Sequence, residues 1–241
     1  MTGRACVRLA VLASLLTASA AASDSGAPAI ARLQTFEEQI AAHPEDLAVA
    51  AEYRQAAIES RLFDRPVDFL GKLAKRKGSG PNIAISYALA CVDKIPTAGD
   101  VRRAYIGFDA MDALTRAIAQ QPSVLAYYIR GRINLGYDKL IFHRTDKGAA
   151  DLARAMAIIT DDTPAALGAL VYLSLGDAYY KLEQVAKAHE TWVAGAAKYP
   201  EDRELRSRLD TNGIDLRNMV NHALSPGTRA DTSLVGVVTP R

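Results

Sequence analysis

The residue types that most often carry chemistry are few and widely spaced in this sequence. The four histidines stand at positions 43, 143, 189 and 222, and no His-x-x-x-His or Cys-x-x-Cys spacing is present. Neither a Gly-x-Ser-x-Gly turn, which exposes a nucleophilic serine, nor a phosphate-binding Gly-Lys-Ser/Thr loop occurs. The sequence therefore predicts no catalytic residue, no metal site and no cofactor. A helical hydrolase with an unrecognised site is the alternative from the enzyme class.

The most conspicuous polar cluster is Phe142-His143-Arg144-Thr145-Asp146, at the end of a long predicted loop. Long insertions between the helices of repeat proteins often map to binding surfaces, so His143 and Arg144 are candidate partner contacts. In the alternative interpretation Phe142 fills the core, Thr145 or Asp146 caps the next helix, and the two basic residues are solvated.

The first 22 residues have the pattern of a secretory signal peptide. Arg4 and Arg8 precede an apolar and small-residue run at 9–22, and small residues follow as a cleavage site. A membrane anchor is the alternative, but this run is shorter than the roughly 20 apolar residues that a spanning helix needs. We therefore expect a periplasmic or secreted protein whose mature chain has no membrane span.

Charge and cysteine content narrow the classes of partner. The chain has 29 basic and 27 acidic residues, and loss of Arg4 and Arg8 with the signal leaves 27 of each. A balanced charge removes the main electrostatic support for a nucleic-acid partner. Cys91 is then the one cysteine of the mature chain, and its apolar surroundings favour a small buried side chain.

From Ile30 onward the sequence has the periodicity of helices. Apolar residues recur at intervals of three and four, as in Leu33, Phe36 and Ile40 and in Met111, Leu114 and Ile118. Helix breaks recur at roughly regular intervals, at Pro44, Gly78 to Pro81, Pro96 to Gly99, Pro122, Gly136, Thr160 to Pro164 and Pro200. This spacing predicts an all-α chain of helical hairpins.

One hairpin has a specific residue pattern that runs from Tyr172 to Pro200. Its residues are Tyr172, Leu175, Gly176, Tyr179, Ala188, Trp192, Gly195 and Pro200. Gly176 and Ala188 are small, so they permit two helices to approach closely, and the large side chains fill the space around that contact. Pro200 ends the second helix. Such a hairpin cannot bury both of its faces alone and needs neighbours.

This pattern resembles the tetratricopeptide repeat, with Gly195 where the family prefers alanine. Weaker copies lie upstream: Ala110, Leu114, Ala117 and Pro122 repeat the spacing of a second helix, and Tyr127, Gly131 and Asn134 that of a first helix. Arg130 stands there where the family has leucine. The resemblance implies a right-handed α-solenoid of three to five hairpins that binds a protein or peptide on an inner surface lined by first helices.

Residues on the inner faces of the first helices are the remaining candidate partner contacts. Tyr128 and Arg132 are four apart and share one helix face, and Leu173, Asp177 and Tyr180 take the corresponding places in the best repeat. Tyrosine and arginine commonly anchor protein interfaces. The alternative for this face is packing against neighbouring repeats and solvent. Some family members clamp a partner's terminal carboxylate with Lys and Asn on these faces, so Asp177 argues against that class of peptide.

The sequence thus divides into a signal peptide (1–22), a flexible lead-in (23–29), a helical repeat domain (30–224) and an irregular or disordered tail (225–241). Within the domain, 201–224 is expected to form a capping helix or helix pair with a solvated face that includes Arg208. Disorder is also expected for Val235 to Val238, and packing of these residues against the helical array is the alternative. The predicted function is a non-catalytic scaffold or adaptor that assists assembly or maturation of an exported complex, or else an accessory subunit of a periplasmic enzyme.

Overall fold

The computed structural model describes residues 26–136, 144–225 and 231–238, so the predicted signal peptide and His143 lie outside the described residues. Within these ranges the chain forms eleven α-helices and one 3₁₀ turn at Ile95–Thr97. The helices are α1 (Gly26–Ala42), α2 (Leu47–Glu59), α3 (Asp64–Ala74), α4 (Pro81–Lys94), α5 (Asp100–Gln120), α6 (Val124–Gly136), α7 (Thr145–Ala157), α8 (Ala165–Lys181), α9 (Val185–Lys198), α10 (Arg203–Asp210) and α11 (Gly213–Ala223). The all-α prediction is confirmed.

Consecutive helices pack as hairpins, most extensively α4 with α5, α6 with α7 and α8 with α9. Helix α1 packs on α2, and α3 packs mainly on α4. First helices also contact one another, α2 with α4 and α6 with α8. We call α2, α4, α6 and α8 the first-helix row. Nothing in the described ranges is a helix long and apolar enough to cross a bilayer.

Most helix ends follow from local sequence signals. Asp46 caps α2 by accepting from the N–H groups of Ala48 and Val49, and Pro81 begins α4, where a missing N–H costs nothing. Helix α1 begins at Gly26, so residues 26–29 of the expected flexible lead-in are helical. Pro28 is compatible with this because it lies in the first turn of the helix.

Two helix breaks lack proline and glycine, so the sequence did not reveal them by those signals. Arg61 follows α2 at φ 58°, and Glu183 follows α8 at φ 62°. In both places the next N–H turns back to a carbonyl five residues earlier, Leu62 to Ala57 at 2.8 Å and Gln184 to Tyr179 at 2.9 Å. These bonds satisfy carbonyls at the helix end and stabilise the left-handed residue.

Among the residues that the structure describes, the hydrophobic core has two parts. The first surrounds α4, in which every residue from Ile83 to Cys91 is buried, as expected for a helix that is apolar on all sides. The second surrounds Trp192, which is 2% exposed, and includes Leu175, Ala188 and Leu205. Cys91 is a buried free thiol in the first part.

The C-terminal segment folds back onto the array. Helices α10 and α11 both contact α8, and Leu234 belongs to the core around α4. Residues 231–238, which we call the tail, are irregular in backbone but packed, with Thr232 4% and Leu234 9% exposed. The expectation of a solvated Arg208 is wrong, because that side chain is 3% exposed and faces α8.

Candidate partner-binding face

The best repeat is held by direct contact between α8 and α9. A Cβ placed on Gly176 would lie 2.2 Å from Nε1 of Trp192, so only glycine permits this approach of the indole. The indole N–H donates to the carbonyl of Leu173 at 3.4 Å, and the ring of Tyr180 lies 5.9 Å from that of Trp192. Trp192 thereby fixes the inner-face residues Leu173 and Tyr180 relative to the hairpin.

The other residues of the pattern complete this hairpin. Ala188 is fully buried, half-buried Tyr179 lies under the ammonium of Lys187, and Pro200 lies in the turn after α9. Gly195 departs from the family preference for a physical reason. A Cβ there would lie 2.7 Å from Cβ of Tyr172, so the side chain of Tyr172 takes the space that alanine would need.

The hairpin α6–α7 repeats this contact with other residues. A Cβ on Gly131 would lie 2.9 Å from Cγ of Leu152, so Leu152 takes the place that Trp192 has in the best repeat. Arg130, where the family has leucine, makes a bidentate ion pair with Asp151 at 2.9 and 2.6 Å. This pair links α6 to α7 where an apolar contact would otherwise be made.

On α6 and α8, four of the five predicted inner-face contacts are half-buried: Tyr128, Arg132, Leu173 and Tyr180. Arg132 donates to the carbonyl of Ala223 at 2.9 Å and lies 3.5 Å from the hydroxyl of Ser174. The guanidinium thus already binds a main-chain carbonyl at the end of α11. Whether these four residues contact a partner stays a prediction.

Asp177 is not available to a partner in this conformation. It is 1% exposed, and its two carboxylate oxygens each accept from Arg208 at 3.1 Å. Burial raises the pKa of Asp177, while the charges of Arg208 and Arg132 act in the opposite direction. In this conformation α10 places an arginine against Asp177 in place of a partner, and the role of Asp177 as a partner contact stays a prediction.

Of the loop residues predicted as contacts, Arg144 is half-buried directly before α7. Its partner role stays a prediction, as does that of His143, which is outside the described residues.

Sequence reasoning missed a second polar site, at the other end of the first-helix row. Arg54 of α2 is 1% exposed and donates to Asp93 of α4 at 3.0 Å and to the carbonyl of Thr232 at 2.8 Å. The hydroxyl of Thr232 also donates to Asp93. The sequence offered little signal for this site, because α2 and α4 also contain charged residues other than Arg54 and Asp93.

These contacts give the path of the C-terminal segment over the first-helix row. Arg208 lies on α8, the carbonyl of Ala223 on α6, and Thr232 on α4 and α2. The segment therefore passes the first helices in the reverse of their order in the chain. At Arg132 and Asp177, the inner face that the sequence assigned to a partner is occupied by the chain itself.

A different surface is exposed on α5. Val101, Tyr105 and Phe108 are 76%, 68% and 52% exposed, and they are spaced by four and three residues, so they form one ridge. The ridge borders a cleft of about 620 Å³ between α3, α4 and α5. Its charged lining is of both signs and comprises Asp68, Lys72, Lys75, Arg102 and Asp109. Val101, Tyr105 and Phe108 thus form a second apolar stripe on α5, beside the buried one, and their spacing is visible in the sequence.

Comparison with known proteins supports the fold. No protein-family model matches the chain, and no curated protein sequence matches it. Among solved structures it is similar to TTC0263, a thermophilic TPR protein of Thermus thermophilus, with a TM-score of 0.55 and 20% identity. The alignment covers 79% of this chain and 93% of that protein. The fold is tetratricopeptide-like. The resemblance seen in the residues from Tyr172 to Pro200 thus extends over most of the helical array.

Proposed function

We propose that this protein is a non-catalytic, protein- or peptide-binding scaffold of the periplasm that helps an exported complex assemble or mature. A tetratricopeptide-like fold supports a protein-interaction scaffold in general, because stacked hairpins present an extended surface rather than one enclosed site. The periplasmic setting rests on the pattern of residues 1–22.

The observation that carries the proposal is that the first-helix row already binds polypeptide. Arg54 and Arg132 each donate to a main-chain carbonyl of the C-terminal segment, at 2.8 and 2.9 Å. Every polypeptide offers such carbonyls, and a charged donor makes a stronger hydrogen bond than a neutral one. The row therefore has the chemistry to hold an extended segment of another protein.

A capture experiment with matched variants tests this proposal. Tagged wild-type chain should retain a partner from periplasmic extract, and Tyr128→Ala with Leu173→Ala should lose it at unchanged helicity. The control, Tyr105→Ala with Phe108→Ala on α5, should retain it. Capture that is equal for all three chains contradicts binding at the inner face.

The exposed ridge on α5 favours a second role, as an accessory subunit of one periplasmic enzyme. Exposed aliphatic and aromatic side chains beside a cleft are typical of a protein interface. In the same experiment, loss of the partner by the α5 variant alone would assign the binding to the ridge and support this role.

The export step has a separate test. Fractionation should place the native chain in the periplasm, and mass spectrometry should find its first residue at Ser23. A native chain that keeps residues 1–22 and stays in the cytoplasm contradicts the proposed location.

A further inference from the structure

The tail binds the first-helix row as a peptide ligand would. Its carbonyl at Thr232 accepts from Arg54, its hydroxyl donates to Asp93, and Leu234, two residues later, enters the core beside α4. Val235, the next residue along the tail, is 52% exposed. The tail is thus held by the polar contacts of Thr232 and the apolar packing of Leu234, with Val237 and Val238 half-buried against the same core.

The site beneath the tail is built from α2 and α4. Arg54 and Asp93 are joined at 3.0 Å, with side-chain exposures of 1% and 6%. A buried ion pair costs desolvation that its own attraction does not fully offset, so it is best satisfied when further hydrogen bonds reach it. Thr232 supplies two of these bonds. The site therefore selects a residue that offers both a carbonyl acceptor and a hydroxyl donor.

We propose that Arg54 and Asp93 form a recognition site for an extended segment of a partner protein that carries Thr or Ser two residues before an aliphatic residue. The tail is the resident ligand of this site, and the partner segment displaces it. The inference rests on the proposed scaffold function and names the peptide chemistry that the scaffold accepts. It also makes the tail a competitor that limits binding.

The tail competes with a partner segment for the Arg54–Asp93 site because it is part of the same chain as the site. A short linker holds a ligand at an effective concentration of the order of millimolar. A free peptide that binds the vacated site at tens of micromolar should therefore bind the wild-type chain about 10- to 100-fold more weakly.

The experiment measures binding of a labelled peptide to full-length chains by fluorescence anisotropy. The peptide has the sequence of residues 231–238, Asp-Thr-Ser-Leu-Val-Gly-Val-Val. The released chain is Leu234→Asp, and the matched control is Val235→Asp, the same change at the neighbouring exposed position. We expect a dissociation constant on the order of tens of micromolar for Leu234→Asp, and binding about 10- to 100-fold weaker both to Val235→Asp and to wild type.

Variants of the peptide identify which side chain makes the contact. Because only the peptide is changed, the fold of the protein is the same in each measurement. The peptide with Thr232→Val should bind the released chain at least about 10-fold more weakly, since it cannot donate to Asp93. The peptide with Ser233→Ala should bind like the original.

Three results would overturn the inference: no binding to the released chain, equal binding to all chains, or equal binding of both peptide variants. Loss of the fold in Leu234→Asp, seen by circular dichroism, would also overturn it, because the tail would then belong to the permanent core. The assay needs no natural partner, so its failure leaves the capture result of the proposed function to stand or fall separately.

Discussion

Each end of the first-helix row contains a buried charge, and the segment that covers this charge differs between the two ends. At the α8 end, buried Asp177 is neutralised by Arg208 of helix α10, and at the α2 end, buried Arg54 is neutralised by Asp93 beneath the tail. The first cover is helical and has its own apolar contacts through Leu205, Leu216, Val220 and Leu224. The tail is eight irregular residues.

This difference separates a structural cap from a removable cover. Helices α10 and α11 share a core with Trp192, so their loss should lower the stability of the whole C-terminal half. The tail adds two buried side chains, Thr232 and Leu234, and two half-buried valines to a core whose other members come mostly from helices α1 to α8. Its loss should therefore be local, and the following predictions test that contrast.

The largest effect is expected from Trp192→Ala, which removes the side chain that joins α8 to α9 in the best hairpin. Truncation of a buried tryptophan leaves a cavity and should lower the free energy of unfolding by about 3 to 5 kcal/mol. Urea denaturation measures it, with Val193→Ala as the exposed neighbouring control, for which a change below about 0.5 kcal/mol is expected. A midpoint equal to that of wild type would show that Trp192 does not hold the two together.

Asp177→Ala should come next, at about 3 kcal/mol, because it leaves Arg208 as a buried charge without its main partner. Glu204→Ala is the control: Glu204 also pairs with Arg208, but its side chain is 66% exposed. Exposed pairs contribute at most about 1 kcal/mol. Equal losses for the two variants would argue against a structural role for the buried pair.

Thr232→Val should lower the free energy of unfolding by less, about 1.5 to 2 kcal/mol. It removes one hydrogen bond to a carboxylate and keeps the shape of the side chain. If the tail is a removable cover, this variant should show faster hydrogen exchange in the tail alone, with the exchange rates of α2 and α4 unchanged. Faster exchange throughout α4 would instead make the tail an integral part of the N-terminal core.

The smallest effect is expected for the reaction of the Cys91 thiol with a thiol reagent. Burial raises the pKa of its thiol to about 12, so at pH 8 only about one molecule in ten thousand carries the reactive thiolate. A thiol reagent such as DTNB should not react with the native chain within an hour, and Leu234→Asp should behave alike. Rapid labelling of Leu234→Asp would show that the core around α4 opens when the tail is released.

Prediction from the sequence was most successful where the determinant was local. The helix breaks at Pro44, Pro122 and Pro200 lie between helices, and Gly176 meets Trp192 across one hairpin. It failed at Arg61, where a hydrogen bond back into the preceding helix stabilises a left-handed residue that is usually glycine. At Glu183 the same kind of bond ends α8, and there the repeat pattern predicted the break although no proline or glycine marks it.

The candidate site was only partly predictable for a related reason. Tyr128, Arg132, Leu173 and Tyr180 lie on the first helices that their spacing indicated, because a helix repeats every three to four residues. The same spacing gives no information about what lies opposite a face. The spacing of Asp177 therefore could not reveal that Arg208 covers it.

By itself the sequence determined the helices, their pairing into hairpins and the small residues at their contacts, because these depend on interactions over a few tens of residues at most. The tertiary structure alone decided which charges meet. Arg54 and Thr232 are 178 residues apart, and Asp93 and Thr232 are 139 apart. Their contact depends on the path of the C-terminal segment over the first-helix row, and no local rule of spacing or propensity specifies that path.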